Sequence, residues 1–446
     1  MSTPQSAAVQ TEKKAINPIV IIGALFFVFG FVTWLNGTLI PFLQLACELN
    51  TSQALLVTFA FYMAYFFLAI PSSFILKKTG FKNGMSLGLF VMAIGALIFV
   101  PAAMVRTFPL FLVGLFVQGM GLSLLQTASN PYIAVVGPIE SAAKRISIMG
   151  ICNKIAGALS PLVLSALVLK GAQAIENQLT TITDPAQKEI LLSDLAHRVI
   201  MPYIIIAAVL IVLALLVRYS SLPEINTDQD DIDESGAVVA PKSSIFKYKN
   251  LNLGVICLFL YVGVEVMAGD VIGTYGKSLG MSLDQTKIFT SYTLASMVVG
   301  YIIGIIAIPK YVKQEQALLI SAIVGVAFTI AAYLTTGFTS IAFIALLGLA
   351  NSLMWPAIFP LAIKGLGKYT KLGSALLVMG IAGGAILPQI YASLEESMGT
   401  QPAFLWSMLP CYLYILYYAV SGHKTKNSAG RNTPAEQTIL TVPRDI

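Results

Sequence analysis

Twelve long apolar stretches alternate with short polar breaks along the chain. They read as spans 1–12, covering 18–46, 52–77, 83–104, 108–136, 145–170, 199–220, 251–277, 285–309, 315–335, 339–363, 372–394 and 402–420. A helix of about 20 apolar residues crosses a hydrocarbon core of ~30 Å. Lipid offers the backbone no hydrogen bonds, so such runs must close their own as helices. The pattern therefore predicts an all-α membrane protein of twelve transmembrane helices.

The longest break between spans on the side of the chain ends is 221–250, SLPEINTDQDDIDESGAVVAPKSSIFKYKN. It is acidic, then Pro/Ser/Lys-rich, and it divides six spans from six, as a linker does. The predicted layout is a tail at 1–17, a half at 18–220, the linker, a half at 251–420 and a tail at 421–446. The break at 171–198 has room for a short surface helix. Of the basic residues, 20 fall on the side of the chain ends, 6 fall on the other, and Lys154 lies within a span. The positive-inside rule then places both termini in the cytoplasm. The polar opening MSTPQSAAVQTEKKAINP shows no cleavable signal pattern.

The halves look related. At an offset of 229, Gly119, Ser123, Leu124, Ala128 and Pro131 of span 4 coincide with Gly348, Ser352, Leu353, Ala357 and Pro360 of span 10. At 232, Gly37 matches Gly269 and Gln53 matches Gln285. Such parallel repeats are related by an axis along the membrane normal and hold substrate near mid-membrane between the halves.

Composition narrows the function. The chain is 57% hydrophobic and 11% charged, with mean hydropathy +0.81, where soluble domains carry roughly 25% charge. The net charge of +6 sits at span ends and forms no nucleic-acid patch. Four scattered cysteines without CxxC spacing indicate neither a disulfide framework nor a zinc site. Both histidines lie outside the spans, and no HExxH, DDxxD, GxSxG or phosphate-loop motif occurs. An enzyme is not expected, nor any cofactor. A solute moved through this chain is driven by a gradient or runs downhill.

Three ionisable residues lie inside spans: Lys154, Glu265 and Asp270. Each costs at least ~2.5–3.5 kcal/mol there and reads as functional by default. Glu265 is ~20 Å along span 7, close to the midplane. On an ideal helix it stands about 140° from Asp270. Gly263, Gly269, Gly273 and Gly276 let the stretch LFLYVGVEVMAGDVIGTYG bend or unwind, which would turn both acids to one cavity. Glu265 and Asp270 are therefore expected to carry a coupling cation. A hard-oxygen cage favours sodium; a single buried acid serves a proton equally well. Lys154 is a counter-charge or substrate ligand, a structural partner of one acid, or a side chain snorkelling to the membrane edge.

The remaining polar groups in the spans are neutral. Trp34, Asn36, Gln126, Asn130, Asn153, Asn351 and Trp355 suit a polyhydroxylated solute. Amides both donate and accept, and an indole matches the C–H face of a pyranose. Amides can also simply tie helix to helix. Trp406 reads as a lipid-facing or core aromatic.

Several segments carry a family resemblance: FGFVTWLNGTLIPFLQLACEL (30–49), 59–103, GLSLLQTASNPYIAVVGP (121–138), GICNKIAGALSP (150–161) and 351–390. The chain resembles the fucose-permease-like sugar symporters of the major facilitator superfamily, most closely their glucose/galactose permease branch. The resemblance implies the major facilitator fold and cation-driven sugar uptake across the inner membrane of a Gram-negative bacterium. It departs at two places. The fucose-permease pattern has a proton-titrating aspartate where this chain has Gly37, and a glutamate where it has Gln126. The repeat maps Gly37 and Thr38 onto Gly269 and Asp270, so the acid has in effect crossed to the second half. The loop SSFILKKTGFKNG after span 2 keeps Gly80, Lys77, Lys78 and Lys82 but lacks the acid of the superfamily pattern.

The expected protein is thus a monomeric hexose symporter for a sugar such as glucose or galactose, in contact with lipid and with no nucleic-acid partner. Its coupling ion is Na+ ahead of H+. The alternatives are H+-coupled symport of another sugar, such as N-acetylglucosamine or fucose, and drug/proton antiport.

Overall fold

The structure is a computed structural model that describes residues 18–135, 142–220, 222, 244–308, 310–366 and 369–424, without the side chains at 18, 19, 130, 131, 133–135, 142–147, 370 and 371. Eleven helical segments are long and apolar enough to cross a membrane. Twelve crossings result because Leu56–Met104 joins spans 2 and 3. As one straight helix it would run about 74 Å at 1.5 Å per residue, far beyond a bilayer. It turns at Gly80, whose φ of +76° is open to glycine and strained for other residues. Beside that turn, Lys82 Nζ donates to Ser220 O at 2.6 Å and pins the loop to the end of span 6.

The two crossings that the repeat pairs are both broken, about one turn apart in the alignment. Span 1 is Pro18–Thr33 followed by Asn36–Ala46, and span 7 is Lys249–Gly269 followed by Ile272–Ser278. In span 7 the N–H groups of Asp270 and Val271 both donate to Val266 O, at 2.7 and 3.3 Å. The helix is widened by one residue there and is not unwound. Spans 10 and 11 are also interrupted, at Ser352–Leu353 and Gly380–Ala382.

The repeat recurs in the contacts. Asn50 and Gln53 form a capping box at the start of span 2, with Asn50 N to Gln53 Oε1 at 3.1 Å. Ser282 and Gln285 form its counterpart before span 8, again at 3.1 Å. A Cβ on Gly119 would fall 2.3 Å from Phe61 O, and one on Gly348 would fall 2.1 Å from Thr293 O. Phe61 and Thr293 are themselves equivalent in the repeat, so span 4 rests on span 2 as span 10 rests on span 8. Close backbone approach at small residues is how membrane helices gain packing without a hydrophobic driving force.

The halves meet along spans 2 and 11 and along spans 5 and 8. Gly384 lies against the Tyr62 ring, and Ser291 Oγ donates to Ala158 O at 2.7 Å. On the side opposite the chain ends, Lys277 Nζ pairs with Glu176 at 2.7 Å. Leu283 N donates to Gln173 Oε1 at 2.8 Å and Ser52 Oγ donates to Glu396 Oε1 at 2.7 Å on the same side. The break at 171–198 holds two helices, Ala172–Thr181 and Pro185–His197, where one was expected. Asp184 caps the second by accepting from Ala186 N at 3.0 Å. Ion pairs from Arg106 to Glu189 and from Lys188 to Glu48 hold it down. Trp406 is 58% exposed and faces outward. A hollow of about 250 Å³ between spans 1, 5 and 6 is lined by apolar side chains such as Phe31, Leu164 and Ile206, with nothing to hold a polar solute.

One packing contact gives a stability test. A Cβ on Gly383 would lie 1.7 Å from Phe259 O, a backbone atom that cannot rotate away. Gly383→Ala should cost about 1–3 kcal/mol by overpacking and lower the melting temperature in detergent. Gly23→Ala meets only the flexible end of Met149, at 3.7 Å, and should melt with the wild type.

Candidate functional site

A polar cavity of about 140 Å³ lies between the halves, on the scale of one small solute. Thr33 and Trp34 of span 1 line it, with Tyr62 and Tyr65 of span 2, Gln126 of span 4, and Asn153 and Lys154 of span 5. From the second half come Tyr261 and Glu265 of span 7, Tyr301 of span 8, Trp355 of span 10 and Ile381 of span 11.

The charges inside are matched. Lys154 Nζ lies 2.8 Å from Glu265 Oε1, with side chains 9% and 11% exposed. The same ammonium stands 4.4 Å from the Trp34 ring centroid. A cation over an indole face gains further attraction when desolvated. Lys154 therefore pairs with the nearer acid across the halves and does not snorkel. Three glycines make room for this group. A Cβ on Gly157 or Gly269 would strike the Trp34 ring at 2.4 or 2.3 Å, and one on Gly30 would meet Asn153 O at 2.3 Å. The indole thus occupies a slot between spans 5 and 7.

The neutral groups sort by place. Gln126 Nε2 donates to Tyr65 OH at 2.8 Å, at the cavity wall. Asn153 Nδ2 reaches Phe26 O at 3.4 Å. Trp355 stacks on Phe359, with centroids 5.8 Å apart. Asn351 does not reach the cavity: it is fully buried, and its Oδ1 accepts from Tyr412 OH at 2.8 Å, tying span 10 to span 12. Asn36 is also buried away from the lining, at the break in span 1, and neither amide atom has a protein partner. The Asn130 side chain lies outside the described residues. Sequence reasoning missed Tyr62, Tyr65, Tyr261 and Tyr301. The one signal for the first pair was their i, i+3 spacing in FAFYMAYF, which places two hydroxyls on one helical face.

Asp270 lies beyond the cavity lining and has no exposed surface. Tyr62 OH donates to its Oδ2 at 3.1 Å, while Oδ1 has no hydrogen-bond partner. The backbone N–H of Gly37, at the break of span 1, sits beside the carboxyl. The two acids expected to share a sodium site have different side-chain partners. Glu265 is held by Lys154 at 2.8 Å and Asp270 by Tyr62 at 3.1 Å. Among the described residues no group of three or more His, Cys, Asp or Glu side chains comes together.

A polar cavity on the scale of a small solute, walled by both halves of a twelve-helix repeat and crossed by one ion pair, defines a secondary transporter. Comparison with known proteins agrees. Residues 22–388 match the profile of the Major Facilitator Superfamily. A glucose/galactose transporter of Brucella abortus is 33% identical over 427 residues, covering 95% of this chain and 98% of that protein. The L-fucose-proton symporter of Escherichia coli K12 is 29% identical over 92% of this chain and 93% of its own length. Among solved structures, the transporter FucP in its outward conformation superposes with TM-score 0.72 at 28% identity, covering 92% of this chain and 99% of that one. The chain belongs to the major facilitator superfamily, in its fucose-permease-like family.

Proposed function

We propose that the protein takes up a hexose such as glucose or galactose by symport with a proton, as a monomer in a bacterial inner membrane with both termini cytoplasmic. The sugar reading is supported by a cavity that combines two indoles, two amides and four phenols, and by relatives named for glucose, galactose and fucose transport. Trp34 and Trp355 offer apolar faces to the ring carbons. Gln126, Asn153 and the phenols bond the hydroxyls. The Lys154–Glu265 pair leaves the cavity without net charge, as a neutral solute requires.

One observation carries the choice of ion: a carboxyl with no exposed surface, with Tyr62 as its one side-chain donor and the Gly37 N–H beside it, and an oxygen, Oδ1, without a side-chain partner. Burial without a cationic partner favours the neutral acid. A proton on Oδ1 satisfies that acid without further ligands, whereas sodium needs several oxygens arranged around it. The relative named a proton symporter adds support. Binding the proton and the sugar together neutralises the carboxyl and lets the halves rock to the other side; neither ligand alone shifts that balance enough.

Proteoliposomes test this directly. An inward pH gradient should drive labelled glucose or galactose to accumulate, and a protonophore should abolish it. Accumulation driven by sodium at fixed, equal pH would sink proton coupling and restore the sodium reading. Gln126→Ala should weaken sugar binding about tenfold, the loss of one hydrogen bond of roughly 1–1.5 kcal/mol. Unchanged sugar affinity by calorimetry would remove Gln126 from the site.

A further inference from the structure

Tyr62 belongs to two environments at once. It lines the cavity, yet its hydroxyl donates to Asp270 Oδ2 at 3.1 Å. Among the described residues it is the one side chain hydrogen-bonded to that carboxyl. It also joins the halves, because Tyr62 lies in span 2 and Asp270 in span 7. The ring is held in place by Gly384, where a Cβ would lie 3.0 Å from it, and by the Phe61 ring, edge-on at 5.1 Å. We infer that Tyr62 is the positioning residue through which the sugar site senses the proton on Asp270.

The link turns on a single proton. A phenol has a single O–H. While Asp270 is a carboxylate, that O–H is committed to Oδ2, because a charged acceptor outcompetes a neutral one. When Oδ1, the oxygen without a partner, takes a proton from the aqueous side, the carboxyl no longer needs the phenol. The O–H is then free to turn to a sugar hydroxyl in the cavity. Protonation thus adds one donor to the sugar site. Linkage requires the reverse, so a bound sugar that holds the phenol makes Asp270 easier to protonate. The other titratable groups around this pair are Tyr65 on span 2, Lys154 on span 5 and Glu265 on span 7. Lys154 and Glu265 are bonded to each other and Tyr65 to Gln126, which leaves Tyr62 as the link.

This inference rests on the reading that Asp270 carries the proton, and the test separates the two. Sugar affinity of the full chain in nanodiscs is measured by calorimetry across pH. The wild type should bind about tenfold more tightly at low pH, one charge-free hydrogen bond's worth. Tyr62→Phe keeps the ring and should bind at all pH values with the weak affinity that the wild type shows at high pH. Asp270→Asn should also give a flat profile. If Asp270→Asn keeps the wild-type pH dependence, the proton sits elsewhere and both readings fall. If Asp270→Asn is flat while Tyr62→Phe keeps the dependence, or loses affinity equally at every pH, Asp270 stands and the role of Tyr62 is overturned. A second variant does not depend on how Tyr62→Phe folds. Difluorotyrosine at position 62 is a stronger donor to the carboxylate, so it should move the midpoint of the affinity profile to lower pH. An unmoved midpoint counts against the link.

Discussion

Asp270→Asn transporters should still exchange labelled sugar across a membrane but should accumulate none. The carboxamide has the size of the protonated acid and carries no charge. Its oxygen can accept from Tyr62 OH as Oδ2 does, so the buried site stays filled. The halves can then rock with sugar whether or not a proton gradient is present. What is lost is the requirement for a proton. A pH gradient of one unit stores about 1.4 kcal/mol and supports roughly a tenfold accumulation ratio; in the variant the ratio should fall to one. Exchange and gradient-driven uptake, measured on the same proteoliposomes, separate this outcome from simple misfolding, which removes both. Accumulation at the wild-type ratio would show that Asp270 is not the proton carrier. The effect is large because Gly37 and Gln126, which cannot titrate, occupy the two places where the resembling family pattern has titrating groups.

Much of this was legible in the sequence, and the residues show why. The spans were visible because each needs about 20 apolar residues. At the Gly80 turn two predicted spans run together as one long helix. The repeat was legible because its matches at Gln53/Gln285 and Gly119/Gly348 are contacts as well as letters: one pair closes capping boxes, the other rests on equivalent carbonyls. At the site, Trp34, Gln126, Asn153, Lys154, Glu265 and Trp355 stood out as polar or indole groups in apolar runs, and all six line the cavity. Asn36 and Asn351 stood out equally and do not. A linear pattern gives depth along a helix but not which neighbour the side chain meets. For Asn351 that neighbour is Tyr412, 61 residues away. The tyrosines were missed for the opposite reason: an apolar ring in an apolar run is unremarked, although its hydroxyl carries the chemistry. The sodium cage was expected because four glycines surround the acids of span 7. Glycine permits a break but does not decide which groups meet there: Glu265 pairs with Lys154 and Asp270 with Tyr62.

Lys154 and Glu265 should behave as a unit, and the largest loss of stability should come from breaking it. Both side chains are about nine-tenths buried, and their atoms lie 2.8 Å apart. Removing one partner leaves an uncompensated charge, a loss of about 3–5 kcal/mol for buried pairs. The two singles should differ. Glu265→Gln leaves an ammonium that still has the Trp34 face at 4.4 Å and an amide oxygen to bond. Lys154→Met leaves a carboxylate with the Tyr261 phenol as its neighbour and no cation bonded to it. Lys154→Met should therefore melt lower than Glu265→Gln, and both should melt well below the wild type. The double variant Lys154→Met/Glu265→Met removes both charges and fills the space. It should recover the wild-type melting temperature, because desolvating the pair costs about what the pair returns. Transport then decides what the pair is for. It ties span 5 of one half to span 7 of the other at the cavity wall, so it must loosen whenever the halves separate there. If it only balances charge, the stable double variant should carry sugar normally. If its breaking sets the barrier between states, the double variant should fold yet favour one state, with sugar exchange slowed or its affinity shifted. Single variants that melt within a degree of the wild type would mean that water already screens the two charges, and that the pair holds nothing together.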